Sequence, residues 1–148
     1  MKRERTLVVV SLFATIVLLP AMAYAGTYDK FITVADVQNI VRLTKMTMKE
    51  EGVLLRFYRR DGKEILNVRF DDPSAFRTIT KDKMRYRPLL PPIGLESASG
   101  VPQMPYTIVF LKKKYAVSVT SLIQGPRTLI SFPHLQAIAR LIDSRIPN

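Results

Sequence analysis

The chain has 148 residues, of which 24% are charged, and it carries a formal net charge of +11 with no cysteine. The absence of cysteine excludes disulfides, a disulfide-linked partner, thiol chemistry and cysteine metal sites. The basic balance admits anionic partners, but net charge by itself bears on solubility and weak non-specific attraction and does not identify a site.

Residues 1–25 have the pattern of a cleavable secretory signal peptide. Three cations occur among the first five residues, and the apolar run Leu7–Leu19 has thirteen residues, fewer than the roughly 20 that span a bilayer. Pro20 ends this run, and Ala23–Ala25 offers the small side chains that signal peptidase requires, so we expect cleavage before Gly26. The alternative is an uncleaved N-terminal anchor, which the A-x-A site and Pro20 argue against.

The mature chain, residues 26–148, has 123 residues, which suits a single domain. Removal of residues 1–25 takes away three cations and one anion, so the net charge falls only to +9. A lipoprotein needs a cysteine directly after the cleavage site, and this chain has Gly26 there. We therefore expect a periplasmic or secreted protein, cleaved between Ala25 and Gly26 and without a lipid anchor.

The first element of the mature chain is predicted to be a helix that begins at Thr33. The Thr33 hydroxyl can accept from the first amides of the helix, and Asp36 stands where the reciprocal partner of a capping box belongs. The apolar residues of the segment share one helical face: Val34, Val37, Ile40 and Val41. After this helix, Thr44–Lys49 alternates in polarity, which leaves a short strand and a loop both open.

A β-hairpin is predicted next, because Val53–Arg60 and Lys63–Phe70 flank Asp61-Gly62, a dipeptide typical of a two-residue type I′ turn. That turn sets the register of the two strands. The pairs expected on the core face are Arg59 with Glu64, Phe57 with Leu66, Leu55 with Val68, and Val53 with Phe70.

The opposite face of this hairpin is basic and partly aromatic. Its polar members are Arg56, Tyr58, Arg60, Lys63, Asn67 and Arg69, with Leu54 and Ile65 among them. An arginine-rich sheet face with a tyrosine can contact phosphates or stack on a sugar or base. The same pattern is also that of the solvated side of an antiparallel sheet. The second interpretation is favoured, since one tyrosine is fewer than the two or three aromatics of a single-strand binding platform.

Asp72-Pro73 predicts the start of a short second helix that runs to about Lys81. The following segment, Met84–Tyr106, is expected to be irregular because five prolines and two glycines interrupt it. Long loops inside a compact domain are commonly functional. The segment is therefore a candidate binding surface, the alternative being an ordered connector. Its candidate polar contacts are Arg85, Tyr86, Arg87 and Glu96.

A second hairpin is predicted from Tyr106–Leu111 and Lys114–Ile123. The pairing that brings apolar residues together is Ile108 with Val117, Phe110 with Tyr115, and Tyr106 with Val119. This pairing places the turn at Lys112-Lys113, and Lys112–Lys114 would then form a basic tip. Such lysines protect a sheet edge against aggregation as readily as they bind an anion.

The last element is predicted to be a helix opened by Pro133. Its apolar residues follow the spacing of a buried stripe: Leu135, Ile138, Ala139, Ile142 and Ile146. His134, the one histidine of the chain, stands in the first turn and makes no metal site by itself. No nucleophile elbow, P-loop or paired-carboxylate motif accompanies it, so we expect no catalytic residues, metal or cofactor.

Three strings of the sequence resemble a known group of proteins. Ile32–Val37, Pro92–Ala98 ahead of the strand Tyr106–Lys112, and Leu135–Ile142 resemble the T-x-A-D-V opening, the G-x-G-D-E-A loop and the L-x-x-L-A final helix of uncharacterised exported bacterial α+β domains. These domains are similar to the PknH-type extracellular sensor and PsbP-like folds. This chain has one glycine in the loop, Glu96-Ser97 for the acidic pair and no cysteines. The resemblance implies an antiparallel sheet with helices against it and a binding or accessory role, with no catalytic residues to transfer.

The sequence as a whole predicts an α+β fold: an antiparallel sheet of two hairpins, with four to five strands, packed against N-terminal, middle and C-terminal helices. The expected function is that of an exported, soluble, non-catalytic binding or accessory protein of the bacterial cell envelope. Its partner would be a protein or a small ligand of that compartment. One alternative is a binder of anionic envelope components, such as lipid headgroups or nucleic acid, through the basic sheet face. The other is a serine-type hydrolase that uses His134.

Overall fold

The computed structural model describes residues 26–101, 106–122 and 129–148. The predicted signal peptide lies outside these ranges. Within them the chain forms one antiparallel sheet of seven strands and three helices, which confirms the α+β class but exceeds the four to five strands expected. None of these three helices is long and apolar enough to cross a membrane. The elements in chain order are α1 (Val34–Val41), β1 (Thr47–Glu51), β2 (Leu54–Tyr58), β3 (Glu64–Asp71), α2 (Ala75–Thr80), β4 (Tyr86–Pro88), β5 (Glu96–Gly100), β6 (Thr107–Leu111), β7 (Ala116–Ser121) and α3 (Phe132–Arg145).

The strands lie in the order β1-β2-β3-β7-β6-β5-β4. The two predicted hairpins, β2–β3 and β6–β7, join at the centre through the antiparallel pairing of β3 with β7, where Val68 faces Val119. Helix α3 packs on β6 and β7, and α1 packs on α3. Helix α2 lies on the other face, where Phe76 packs against Val109 and Ala116. The main core therefore lies between the α1/α3 layer and one face of the sheet.

The N-termini of α1 and α3 are both capped, although only the cap of α1 was predicted. The Thr33 hydroxyl accepts from the Asp36 amide at 3.2 Å, and the Asp36 carboxylate accepts from the Thr33 amide at 2.8 Å, so the predicted capping box of α1 is confirmed. In α3, Ser131 caps the helix and Pro133 stands in its first turn. The predicted apolar stripe of α3 is buried along its whole length, from Leu135 to Ile146.

The first hairpin has a different turn from the predicted one. Arg59 and Lys63 close a three-residue loop, with the Arg59 amide donating to the Lys63 carbonyl at 2.9 Å and Gly62 at a φ of 80°. Such a loop is a type I turn followed by a left-handed residue. A bulge next to Tyr58 then restores the predicted register. The expected pairs Phe57 with Leu66 and Leu55 with Val68 are therefore confirmed, whereas Arg59 with Glu64 is wrong.

Two further predictions for this part of the chain need correction. Val53 lies beyond the end of β2 and is 40% exposed, although it was expected on the core face. Helix α2 begins at Ala75 and not at Asp72-Pro73, because the Asp72 carboxylate accepts from the Ser74 amide at 2.9 Å and closes a local turn first. Asp72 still satisfies an amide at the helix entrance, as a cap does.

The segment Met84–Tyr106 is not irregular throughout as predicted, because it contributes the strands β4 and β5. Pro102 and Pro105 lie outside the described residues, and the three other prolines of the segment are compatible with this arrangement. Pro88 lies in β4, the edge strand, where a missing amide costs no ladder hydrogen bond. Pro91 and Pro92 lie in the connection between the two strands.

The register of the second hairpin is shifted by two residues from the predicted one. Ile108 faces Val119 and Phe110 faces Val117, so the turn consists of Lys113 and Lys114. The physical reason is that Lys112, the residue before the turn, is only 6% exposed. The basic tip therefore consists of two lysines and not of the three predicted. The side chain of Lys112 reaches inward, and its ammonium group lies 2.9 Å from Asp143 Oδ1 and 2.8 Å from Asn148 Oδ1.

An ion pair joins α1 to the end of α3. The Arg145 guanidinium donates to both carboxylate oxygens of Asp36, at 2.5 and 2.9 Å. This hydrogen-bonded pair lowers the pKa of Asp36 to about 2, with help from Thr33. The pair therefore ties the two helices together in addition to their apolar contact.

We predict that stability gained from this ion pair disappears in acid. A carboxyl group whose pKa is lower in the folded than in the unfolded chain stabilises the fold above its unfolded pKa of about 3.9. The gain is then lost as the pH falls through the folded value. Asp36→Asn should cost about 1–2 kcal/mol at neutral pH and almost nothing near pH 2, as measured by urea unfolding across this range. A deficit that stays constant with pH would contradict the assignment.

Gly94 is predicted to be irreplaceable for a steric reason. It has a φ of 65°, and a Cβ at this position would lie 2.4 Å from the carbonyl oxygen of Leu111. Gly62 has a similar φ but open space around it, so it is a matched control. Gly94→Ala should destabilise the protein by about 2–4 kcal/mol, and Gly62→Ala by about 1 kcal/mol, in thermal or urea unfolding. Equal losses would show that the contact with Leu111 does not matter.

Candidate functional site

A cavity lies on the helix-covered face of the sheet, over its β4–β5 edge. It has a volume of about 580 Å³. We call it the edge cleft. It is lined by Met84, Arg87, Ser99, Gly100, Val101, Tyr106 and Phe132.

Strand pairing places the floor of the edge cleft. Arg87 of β4 faces Ser99 of β5, which in turn faces Ile108 of β6. Residues that face one another across neighbouring strands project from the same side of a sheet, so Arg87 and Ser99 share the side on which Ile108 enters the core. One end of the cleft is formed by the first turn of α3, where the rings of Tyr106 and Phe132 lie 6.2 Å apart.

The walls of the edge cleft are mostly apolar, and Arg87 is the single charged residue among the described residues that line it. This guanidinium is exposed, and no ion pair of Arg87 occurs in the described ranges. Met84, at the rim, is 85% exposed. An apolar wall of this kind with one positioned polar group is the usual composition of a small-molecule site. The arrangement can hold an apolar body and neutralise one negative charge.

The predicted basic face of the first hairpin exists, but its arginines have carboxylate partners. Arg56 lies 2.9 Å from Glu51 and 2.8 Å from Glu64, and Glu64 raises the pKa of Arg56. Arg69 binds both carboxylate oxygens of Asp71, at 2.8 and 2.9 Å. These pairs offset most of the positive charge that the sequence pattern indicated.

The two other predicted residues of this hairpin contribute differently. Tyr58 lies on the same face, where the ammonium of Lys49 is 5.8 Å from its ring centroid. Arg60 lies in the exposed turn and does not join the face. The sheet order puts β2 and β3 at the opposite end from β4, so this group and the edge cleft are separate.

The four predicted residues of the Met84–Tyr106 segment are only partly brought together. Tyr86, Arg87 and Glu96 line a second, smaller cavity of about 250 Å³ next to α2. Arg85 lines neither cavity and lies 3.4 Å from Asp82. Arg87 alone belongs to both cavities, which makes it the predicted residue with the strongest claim to a binding role.

His134 completes a capping box in α3. Its Nδ1 accepts from the Ser131 amide and its own amide donates to the Ser131 hydroxyl, both at 3.4 Å. The hydroxyl of Ser131 thus contacts the backbone of His134, not its imidazole. The described part of the chain also contains no group of three acidic or histidine side chains placed to hold a metal ion.

The sequence analysis did not single out Phe132, Ser99 or Val101 of the edge cleft, although Ser99 and Val101 lie within the candidate segment Met84–Tyr106. Phe132 stands three residues before Leu135, so it extends the buried stripe of α3 by one turn, and that spacing is a signal that could have found it. Ser99 carried no such signal, because its strand β5 was interpreted as part of an irregular loop.

Comparisons with protein-family models, curated proteins and solved structures found no match to this chain. The resemblance to exported domains of the PknH-type sensor and PsbP-like group therefore stays a prediction. The site has to be interpreted from its own geometry.

Proposed function

We propose that this protein is an exported, non-catalytic binding protein of the bacterial cell envelope, and that it holds a small amphipathic anion in the edge cleft. The observation that carries the proposal is the combination of an apolar cavity of about 580 Å³ with one guanidinium, Arg87, at its wall. Export is inferred from the signal-peptide pattern of residues 1–25.

The size of the edge cleft supports a small ligand. Its volume lies within the roughly 300–1,000 Å³ of cavities that bind small molecules. Phe132, Tyr106 and Val101 provide large apolar contact areas. Burial of such surface contributes about 25 cal/mol per Å², so a ligand with an aliphatic or aromatic body gains more here than a compact polar one.

The charge of the ligand is inferred from Arg87. A guanidinium presents a planar fork of donors that matches a carboxylate bidentately. Among the described residues of the lining no carboxylate competes for this fork, since the other members are neutral. A monocarboxylate with an apolar tail therefore fits both the walls and the charge.

The chemistry of the lining supports binding and not turnover. Catalysis of hydrolysis needs a nucleophile next to a base, or a bound metal. Within the described part of the lining the hydroxyl groups belong to Ser99 and Tyr106, and no carboxylate or imidazole is present there to act as a base. His134 is part of the cap of α3, which does not favour the hydrolase alternative.

The alternative of a polyanion binder that uses the basic sheet face is less well supported. A phosphate bound by Arg56 or Arg69 would have to displace a carboxylate that already pairs with that arginine. Exposed ion pairs are individually weak, but this competition removes the advantage that the sequence pattern indicated. The edge cleft requires no such displacement.

Binding of decanoate tests the proposal. We expect the mature protein to bind decanoate more tightly than decanol, which has the same tail without the charge. Arg87→Met, which keeps the aliphatic stem, should weaken decanoate binding about five- to tenfold, since a hydrogen bond to a charged group contributes about 1.5–3 kcal/mol when buried and less when exposed. Isothermal titration calorimetry on the folded variants provides the affinities.

Arg85→Met is the matched control, because it removes the same charge two residues away and outside the cleft. It should leave decanoate binding unchanged within about twofold. Equal affinities for decanoate and decanol, or equal losses in the two variants, would contradict the assignment of Arg87 as the anion contact.

A further inference from the structure

Another cleft lies at the C-terminal end of α3, where three segments that are distant in sequence meet. The segment before α1, the β6–β7 turn and the end of α3 enclose a cavity of about 340 Å³. We call it the basic cleft. It is lined by Lys30, Phe31, Lys114, Tyr115, Arg145, Ile146 and Pro147.

The basic cleft has positive charge that nothing in the described ranges offsets. Arg145 is neutralised by its bidentate pair with Asp36. Lys30 and Lys114 form no ion pair there, and no acidic side chain is part of the lining. The C-terminal end of a helix supplies only about half a negative charge. The positive charge of the two ammonium groups is therefore larger than the partial negative charge of the helix end.

The floor of the basic cleft is rigid. The ring of Phe31 lies 6.0 Å from that of Tyr115, and both contact Phe70 at 5.6 and 5.8 Å. Tyr28 stacks on Phe70 at 4.5 Å, and the carboxylate of Glu50 accepts from the Tyr28 amide at 3.2 Å. These contacts fix the segment that carries Lys30. A site held in place before binding loses less conformational entropy when a ligand enters.

One cation of the cleft is already placed over this floor. The ammonium of Lys30 lies 5.1 Å from the ring centroid of Phe31, a distance at which the ring attracts the cation. Lys114, in the β6–β7 turn, is exposed. Of the apolar lining residues, Tyr115 is half-buried and Pro147 is exposed, so these two offer surface to a ligand. The cleft thus combines two exposed ammonium groups with apolar surface.

We propose that the basic cleft binds a phosphate ester, with the phosphate bound by Lys30 and Lys114 and the organic group against Tyr115 and Pro147. A lysine ammonium is a compact point charge with three donors and is a common phosphate ligand. Two such charges match a phosphomonoester dianion better than a single carboxylate. The apolar floor gives an ester more contact than inorganic phosphate has.

This site is independent of the edge cleft. The two lie at opposite ends of α3, which for a helix of this length is a separation of about 20 Å. They also differ in charge, since the edge cleft has one guanidinium and the basic cleft two unpaired ammonium groups. A ligand of one cleft is therefore not expected to compete for the other.

Phenyl phosphate is the probe for the test, because it combines a dianion with a flat apolar group. The variant Lys30→Met/Lys114→Met keeps the lysine stems and removes the two charges. The control Lys63→Met/Lys81→Met removes the same net charge from exposed positions outside the cleft. Affinities are measured by NMR titration, with the amide spectrum of each variant reporting that it is folded.

We expect the cleft variant to lose at least about tenfold in affinity for phenyl phosphate and the control to change less than about twofold. Wild-type protein should also bind inorganic phosphate more weakly than the ester. Equal losses in both variants would overturn the proposal, because a general charge effect would then explain the binding. The absence of any binding by folded wild-type protein would overturn it as well.

Two vesicle compositions distinguish a lipid source of the phosphate from a soluble one. Binding to vesicles that contain phosphatidic acid, a phosphomonoester lipid, reduced in the cleft variant and absent with phosphatidylcholine alone, would assign the site to a lipid headgroup. Binding of phenyl phosphate without vesicle binding would assign it to a soluble ester. Both results support the proposal. Arg87→Met should leave the binding of vesicles and of phenyl phosphate unchanged. A failure of the proposal for the basic cleft is therefore distinguishable from a failure of the proposal for the edge cleft.

Discussion

The architecture depends on how one face of the sheet is covered. Alternate residues of β2, β3, β6 and β7 bury a continuous apolar surface, and α3 is the main element that packs on it, with α1 beside it. Helix α3 runs along β6 and β7, since its first turn lies beside Tyr106 at the start of β6 and its last turn beside Tyr115 at the β6–β7 turn. The two clefts lie where this helix begins and where it ends.

Local signals predicted the parts of the fold that depend on neighbours in sequence. The capping box at Thr33 and the stripe of α3 follow from spacing alone, and the register of the first hairpin from its Asp61-Gly62 dipeptide. The predicted two-residue turn was wrong. The register was nevertheless correct, because the three-residue loop and the bulge shift it in opposite directions and the two shifts cancel. The predicted register of the second hairpin was wrong because of a tertiary contact. Lys112 reaches inward to Asp143, and no local sequence pattern reveals this contact.

The candidate sites were less accessible to prediction than the fold. Arg87 was predicted as a candidate contact, but as part of an irregular loop. The pairing of β4 with β5 determines the side of the sheet on which it lies. The prolines of that segment made these strands hard to predict. The basic cleft takes residues from three segments separated along the chain, so no motif marks it. Conversely, the arginines of the first hairpin formed a clear sequence pattern. In the structure, however, the charges of Arg56 and Arg69 are paired with carboxylates of Glu51, Glu64 and Asp71.

The most direct test of the account is a map of where decanoate contacts the folded protein in solution. Amide chemical shifts recorded during a titration of the isotope-labelled mature chain should change around Arg87, Ser99 and the first turn of α3. The face that carries Arg56 and Asn67 should stay unchanged. Shifts concentrated on that face, or the absence of saturable shifts at the edge cleft, would contradict the claim that the cleft beside α3 is the binding site.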